Sequence, residues 1–228
     1  MHIHRTLLRL LGALTLTGAS IAAGATVTVP VNGDIFLGVR ASGGQGSGVS
    51  LLINVKDDTT LRNATGGSTL ALATVNTELT TAFGPNWSTR SDLTWAFFGA
   101  RNQINPVVYG SRAQSPVGRP ASSYPAQDLS QRTATKNQII SVVDAYGQLD
   151  QFSGNAKAGL QTNGLNSGSY NFQVGSAGTS DFGSLSQWVS IEGDFSAGVS
   201  GTVLDFFRYA GSTTVPATER LGSFEISS

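Results

Sequence analysis

The run LTWAFFGA, at residues 93–100, is the most strand-like stretch of this chain. It carries aromatic side chains at Trp95, Phe97 and Phe98, so it is apolar on both faces of an extended backbone. Such a run is typical of a central strand that is packed on each side. Residues 107–109, Val-Val-Tyr, are predicted to form its neighbour.

Alternating side chains predict further strands on both sides of this run. Residues 35–39 and 49–55 alternate with a period of two and flank a Gly-rich stretch at 42–48, which is typical of a hairpin. Four later runs have the same character and are also predicted as strands: 170–174, 188–195, 203–209 and 221–226.

Two helices are predicted from apolar residues spaced three to four positions apart. The first spans residues 74–83 and ends at Gly84-Pro85; the second spans residues 131–146 and ends at Gly147. No repeat or change of composition divides residues 26–228. We therefore predict one mainly β domain, a β-sandwich or jelly-roll-like fold with one or two packed α-helices.

Residues 1–25 have the pattern of a secretory signal peptide. Arg5 and Arg9 make the start basic, residues 7–21 form an apolar core, and residues 22–25 are the small residues Ala-Ala-Gly-Ala. We expect cleavage after residue 25, 22 or 23, and a secreted location, extracellular or at the cell surface. Thr and Ser interrupt the apolar core, which disfavours the alternative of a retained membrane anchor.

Removal of this leader limits the chemistry of the mature chain. Both histidines lie within residues 1–25 and the chain has no cysteine, so the mature form keeps 12 basic and 14 acidic residues but no imidazole or thiol. Ser-His-Asp triads, Cys-His pairs and His- or Cys-ligated metals are excluded from it. We predict that it is not an enzyme and needs no cofactor.

The sparse charge of the chain also restricts its partners. Charged residues are 12% of the sequence, against about 25% in typical domains. The basic residues are scattered and form no stripe, so nucleic-acid binding is not expected. No apolar stretch of about 18 residues follows residue 25, so no membrane span is expected in the mature form.

Four segments in order resemble the secreted domain of bacterial PEP-CTERM proteins, the exosortase-sorted exoproteins. They are NGDIFLGVRASGGQGSGVSLLINV at 32–55, FGPNWSTRSDLTWAFFGA at 83–100, SIEGDFSAGVSGTVLDFFRY at 190–209 and LGSFEISS at 221–228. The resemblance implies export and a surface or extracellular-matrix setting, and it carries no catalytic residues. The family's tail, a Pro-Glu-Pro motif, an apolar span and a basic end, does not follow here, which leaves release or a trimmed tail as alternatives.

Three acidic residues are the candidates for chemistry near the C-terminus. Glu192 and Asp194 are two apart on a predicted strand and so share a face, and Asp205 on the following strand can face them. Such carboxylates suit glycoside hydrolysis or a Ca²⁺ site. We favour a third interpretation, a solvated sheet face with Arg208 as a charge partner.

Other acidic residues are interpreted as parts of turns. Asp57 and Asp58 begin a predicted polar loop at 57–67 that lacks the ligand spacing of a calcium loop. Asp34 follows Asn32-Gly33, which is a turn-forming pair ahead of a strand.

Aromatic side chains are the candidates for ligand binding. Trp87 follows Gly84-Pro85-Asn86 and could be exposed, and Trp188 is similar, so both are candidates for stacking on a sugar, with packing as the favoured alternative. Trp95 is expected in the core.

These observations favour a non-enzymatic secreted protein of the matrix, envelope or biofilm type. The alternatives are a carbohydrate-binding module and, behind it, a carboxylate-dependent glycoside hydrolase. The partners would be extracellular polysaccharide or other copies of the chain. Residues 26–31, TVTVPV, are a β-prone segment that could add to the sheet edge of a neighbour, or form an ordinary edge strand of its own domain.

Overall fold

The computed structural model of the chain describes residues 9–12, 32–64, 75–121, 126–146, 158–164, 168–174, 182, 191–195, 203–212 and 215–226. Its strands are β1 Arg9–Gly12, β2 Asp34–Ala41, β3 Val49–Asp57, β4 Leu93–Arg101, β5 Val107–Ala113, β6 Ala158–Thr162, β7 Gly193–Asp194, β8 Val203–Gly211 and β9 Pro216–Ile226. Its helices are α1 Asp58–Arg62, α2 Asn76–Phe83, α3 Leu129–Tyr146 and α4 Tyr170–Val174, with a 3₁₀ turn at Trp87–Thr89.

The described strands form one sheet in the order β1-β9-β8-β5-β4-β2-β3-β6. Every pair is antiparallel except β1 with β9, which is parallel. β4 is an interior strand, with β2 along one side and β5 and β7 along the other. The predictions of a mainly β domain with packed helices and of a central strand at 93–100 are therefore confirmed.

The sheet buries apolar side chains on both faces because alternate residues of each strand point in opposite directions. On one face Trp95 and Phe97 pack with residues of α2, and on the other Phe36 and Phe98 pack with residues of α3 and α4. The continuous apolar run that identified β4 in the sequence reflects this burial on two sides.

Aromatic contacts show that the sheet curls toward the face of Trp95 and Phe97. Strands β4 and β9 are three positions apart in the sheet, or about 14 Å if it were flat. The rings of Phe97 on β4 and Phe224 on β9 nevertheless stack with their centroids 3.7 Å apart. Phe206 on β8 lies 4.9 Å from Phe224, between them in the sheet order. This face is therefore concave, and it encloses its core in the manner of a sandwich.

The two long helices occur where their apolar spacing predicted them. α2 starts at Asn76, two residues after the predicted start, and residue 74 lies outside the described residues. It ends at Phe83, where Gly84 takes a φ of 91° that few other residues tolerate. α3 starts at Leu129, two residues before its predicted start, and buries Ile139 against the sheet.

Three short elements differ from the sequence predictions. The run at 170–174, predicted as a strand, is helix α4; strand β6 lies in a stretch that we expected to be irregular; and α1 occupies the predicted loop after Asp57. In α4 the ring of Tyr170 lies directly on the backbone of Gly38, where a Cβ would be only 2.6 Å from ring atoms. Five residues are too few for local alternation to separate a strand from a helix, so tertiary packing decides.

Parts of the predicted pattern lie outside the described residues. These are residues 188–190 of the strand predicted at 188–195, the segment 26–31, and residues 1–25 apart from β1. Of the described part of that predicted strand, residues 193–194 form β7. Within the described ranges, no helix has both the length and the apolarity that crossing a membrane requires.

Candidate functional site

Glu192 is held by a set of donors from three other parts of the fold. Arg40 of β2 donates from Nε to Oε1 at 2.9 Å and from Nη2 to Oε2 at 2.6 Å, which is the bidentate geometry of a strong arginine–carboxylate pair. Thr94 Oγ1 of β4 and the Tyr170 hydroxyl of α4 donate to Oε1 at 3.0 and 3.1 Å. This carboxylate therefore connects β2, β4 and α4 to the segment before β7.

Asp194 lies in the two-residue strand β7, whereas Glu192 comes just before it. In the β4–β7 pair Asp194 stands opposite Thr94, the residue that also donates to Glu192. Asp194 is partly exposed, whereas Glu192 is 9% exposed.

Asp205 is buried in a different set of contacts. Its Oδ1 accepts from Gln114 Nε2 at 2.8 Å and from Arg220 Nη2 at 2.6 Å, and its Oδ2 accepts from the backbone N–H of Ala121 at 2.5 Å. Its cationic partner is thus Arg220 of β9. The predicted partner, Arg208, pairs with Glu219 at 3.3 Å instead, which corrects the solvated-face interpretation for Asp205.

The three candidate carboxylates therefore do not form one described centre. Glu192 and Asp205 each have their own arginine. Within the described residues no group of three or more His, Cys, Asp or Glu side chains is placed to hold a metal ion.

A further buried carboxylate, that of Asp58, was not recognised from the sequence. Asp58, 1% exposed, lies at the start of α1, where its carboxylate forms an ion pair with Arg101 of β4. The Tyr109 hydroxyl of β5 donates to its Oδ2 at 2.6 Å, and Arg62 lies 3.5 Å from the same oxygen. The prediction that Asp58 belongs to a polar loop is wrong, because Asp57 caps a helix that turns Asp58 inward.

The electrostatics of this cluster favour an ionised carboxylate beside a neutral phenol. Burial on its own raises the pKa of Asp58, but hydrogen bonds from Arg101 and Tyr109 outweigh burial and the net shift is downward. Burial, together with the hydrogen bond to Asp58, raises the pKa of Tyr109 far above its usual range. Asp58 is therefore ionised and Tyr109 is neutral at physiological pH.

Gly33 explains how the chain approaches Asp58 so closely. It has a φ of 101°, and a Cβ at this position would lie 2.7 Å from Asp58 Oδ1. Its carbonyl accepts the N–H of Asp58 at 2.9 Å. The turn predicted at Asn32-Gly33 thus belongs to the packing of the Asp58 cluster.

Arg132, near the start of α3, is completely buried and holds backbone carbonyls from two further turns. It donates to Pro106 O at 3.0 Å, Gln127 O at 2.6 Å and Gly211 O at 3.2 Å. Burial lowers its pKa from the usual arginine range. The planar, five-donor guanidinium suits this role because its partners lie in several directions.

Of the two tryptophans proposed to stack on a sugar, the structure describes only Trp87. Trp87 is 3% exposed: its Nε1 donates to Asn76 Oδ1 at 3.0 Å and its ring meets Phe195 edge to face at 5.5 Å. It therefore presents no face to a ligand, which agrees with the favoured interpretation of packing and rules out Trp87 as a stacking candidate. Trp188 lies outside the described residues. Trp95 is buried, as predicted.

Asp34 lies at a small cleft between the sheet and α3. The cleft has a volume of about 180 Å³, and its polar lining includes Asn32, Asn102 and Asp144. Asp34 is 7% exposed and accepts from Asn54 Nδ2 at 2.6 Å. Asn32 and Asn102 bond to each other at the rim. These contacts fit the predicted structural role of the turn.

Comparison with protein-family models, curated proteins and solved structures gives no match to this chain. The PEP-CTERM resemblance therefore stays a prediction from the quoted segments, and function must be argued from the residues themselves.

Proposed function

We propose that this chain is a non-enzymatic secreted protein of the extracellular matrix, envelope or biofilm type. The observation that carries the proposal is how the described charged side chains are used. Arginine–carboxylate contacts tie strands of the sheet to one another and to the segments packed on it: Arg220 of β9 reaches Asp205 of β8. Arg101 of β4 reaches Asp58 of α1, and Arg40 of β2 reaches Glu192, just before β7.

These contacts suit a structural role outside the cell. A chain without cysteine has no disulfides to fasten its strands, and buried arginine–carboxylate pairs provide fixed cross-links of another kind. The same contacts occupy the carboxylates that a hydrolase would need as acid and base. The predicted leader and the low charge of the surface support the extracellular setting.

Export is tested by expressing the full chain in a Gram-negative host and fractionating the cells. We expect a mature form that begins at residue 26, or at 23 or 24, outside the cytoplasm. The control is a variant that lacks residues 2–25, and it is expected to remain in the cytoplasm. Recovery of the full chain from the cytosol with its first 25 residues intact contradicts the proposal.

The non-enzymatic part is tested separately with the exported protein on a panel of polysaccharides. We expect no turnover for the parent or for Glu192→Gln and Asp205→Asn. Turnover that these substitutions abolish would establish the hydrolase alternative. Glycan-array binding that survives Trp87→Phe but is lost in Trp188→Ala would establish the carbohydrate-binding alternative.

A further inference from the structure

Only a short part of the outer edge of β9 pairs with another described strand. Its inner side pairs with β8 over residues 216–225, whereas β1 covers only Ser223–Ile226 on the outer side. Among the described residues, no strand lies along the outer side of 217–222. Ala217 and Glu219 are exposed there. Open backbone N–H and C=O groups of this kind can accept a further strand.

The opposite edge of the sheet is less suited to strand addition. β6 has only five residues, and side chains at its end form hydrogen bonds with the backbone of neighbouring segments. Gln161 Oε1 accepts from the backbone N–H of Tyr170 at 2.6 Å, and Asn163 Nδ2 donates to Ser47 O at 2.8 Å. The eleven-residue β9 is therefore the better acceptor.

The pairing of β1 indicates what the β9 edge accepts. β1 lies inside residues 1–25, the predicted leader, and its backbone pairs in parallel with the end of β9. If the leader is removed after residue 25, this strand leaves and the whole outer edge of β9 becomes available.

The new N-terminal segment, residues 26–31, has the sequence of a suitable strand. TVTVPV alternates Thr and Val, carries no charge and has its proline near the end, where an edge strand tolerates it. A neutral strand also avoids placing like charges beside Glu219 or Glu225 of β9.

Residues 26–31 cannot lie along the β9 edge of their own copy over their full length. Asn32 is fixed beside β4 by its two hydrogen bonds with Asn102, of 3.0 and 2.6 Å, and residue 31 must lie about 3.8 Å from Asn32. Even where the curl brings β4 and β9 to the spacing of packed layers, about 10 Å, about two or three of the six residues would be used in the crossing. All six can pair only with the β9 of a neighbouring copy.

We infer that residues 26–31 of one mature copy add as a strand to the outer edge of β9 in a second copy. The inference rests on the proposed secreted function, because the leader must be removed first. Donor and acceptor are different surfaces of the same chain, so each copy can give one strand and receive one. Such a contact extends into an open chain of copies, or closes into a ring or an exchanged pair where the rotation between copies permits.

The first test is sedimentation velocity of the exported mature protein over a range of concentrations. We expect a ladder of species that grows with concentration, and a monomer for the uncut chain. Val27→Glu with Val29→Glu, which places like charges beside Glu219 and Glu225, is expected to remove the ladder, whereas Thr26→Ser with Thr28→Ser, the matched control, is expected to keep it. Unchanged circular dichroism and melting of each variant exclude misfolding.

The acceptor edge is tested by removing one outward N–H group. Ser212 N–H donates to Val215 O at 3.1 Å and closes the β8–β9 hairpin. Alternation from this pair directs the N–H of Ala217 to β8 and that of Thr218 outward. Thr218→Pro is expected to weaken association about ten-fold, or about 1.4 kcal/mol, the value of one hydrogen bond. Thr218→Val keeps the N–H and serves as the control.

A cysteine-free chain allows a direct test of the contact. Val29→Cys with Glu219→Cys in one chain is expected to give a ladder of oligomers with a short bis-maleimide linker, whereas either single substitution gives dimers at most. A mature protein that is monomeric at every concentration overturns the inference, as does any association that persists without residues 26–31. Export outside the cytoplasm with no association would overturn this inference alone and leave the proposed function standing.

Discussion

Replacing Asp58 with asparagine is expected to destabilise the fold by about 3 kcal/mol, because a buried ion pair loses one partner. The carboxylate is completely buried and accepts from Arg101 and Tyr109. Asparagine keeps the shape but places an NH₂ donor against these donors. The loss of one partner in a buried pair costs about 3–5 kcal/mol. The lower value applies here because the Arg101 side chain is 31% exposed and can be rehydrated.

The measurement is urea denaturation of the mature chain at pH 7, with thermal melting as a second readout. For a domain of this size the expected fall in melting temperature is about 6–12 °C. Asp57→Asn is the matched control: Asp57 caps α1 by accepting from Thr60 N–H at 2.9 Å, and asparagine is an equally good cap. A value within about 0.5 kcal/mol of the parent, the usual range of surface substitutions, would refute the reasoning for Asp58.

The pH dependence of this variant follows from the lowered pKa of Asp58. A carboxylate with a lower pKa in the folded chain contributes stability above its ordinary pKa of 3.8, and this contribution is lost as the pH falls through the lower, folded value. The parent should therefore lose its advantage over Asp58→Asn as the pH falls below about 4. An advantage that is the same at pH 7 and pH 2 would contradict this assignment.

Two further predictions concern other buried groups. Arg132→Met leaves backbone carbonyls without their donor and should lower the free energy of unfolding in urea by about 3 kcal/mol. Arg132→Lys should recover only part of this loss, because an ammonium lacks the planar fork of a guanidinium. A Met variant as stable as the parent would show that water replaces the guanidinium. Burial raises the pKa of Tyr146 to about 12, and that of Tyr109 further. Phenols in the unfolded chain ionise near pH 10, so stability should fall as the pH rises above about 10, by about 1.4 kcal/mol per pH unit for each tyrosine. Tyrosinate absorbance should then appear together with loss of the circular dichroism signal, less steeply in Tyr146→Phe; reversible ionisation near pH 10 in the folded chain would count against it.

The elements that the sequence predicted are those in which one local period extends over many residues. β4 is recognisable because both of its faces are buried, and α3 because apolar residues recur three to four positions apart in its second half, where Ile139 and Tyr146 are buried. The short elements were missed for the same reason. In α4 the spacing of Tyr170 and Val174 fits a strand as well as one turn of helix, and the contact with Gly38 selects the helix.

The candidate site was less predictable than the fold. The sequence identified Glu192 and Asp194 as acids that share a face and Asp205 as an acid that could face them. It did not identify the arginine partner of either Glu192 or Asp205. Asp58 was interpreted as the start of a polar loop, because a polar residue next to a helix cap gives no sign in the sequence that it turns inward. The aromatic Trp87 was ambiguous for a related reason, since a tryptophan after Gly-Pro-Asn fits either a loop or a buried turn.

Sequence alone determined the mainly β character and, for any form that begins after residue 25, the absence of imidazole and thiol groups. Both follow from local periodicity and from composition, which do not depend on how distant segments meet. Tertiary structure alone decided which charges neutralise each other and which edge of the sheet is left uncovered by the other described strands. Arg40 and Glu192 are 152 positions apart and Arg220 and Asp205 are 15 apart. Contacts over such separations arise only when the curled sheet brings the strands together, because the strength of an ion pair depends on distance in space.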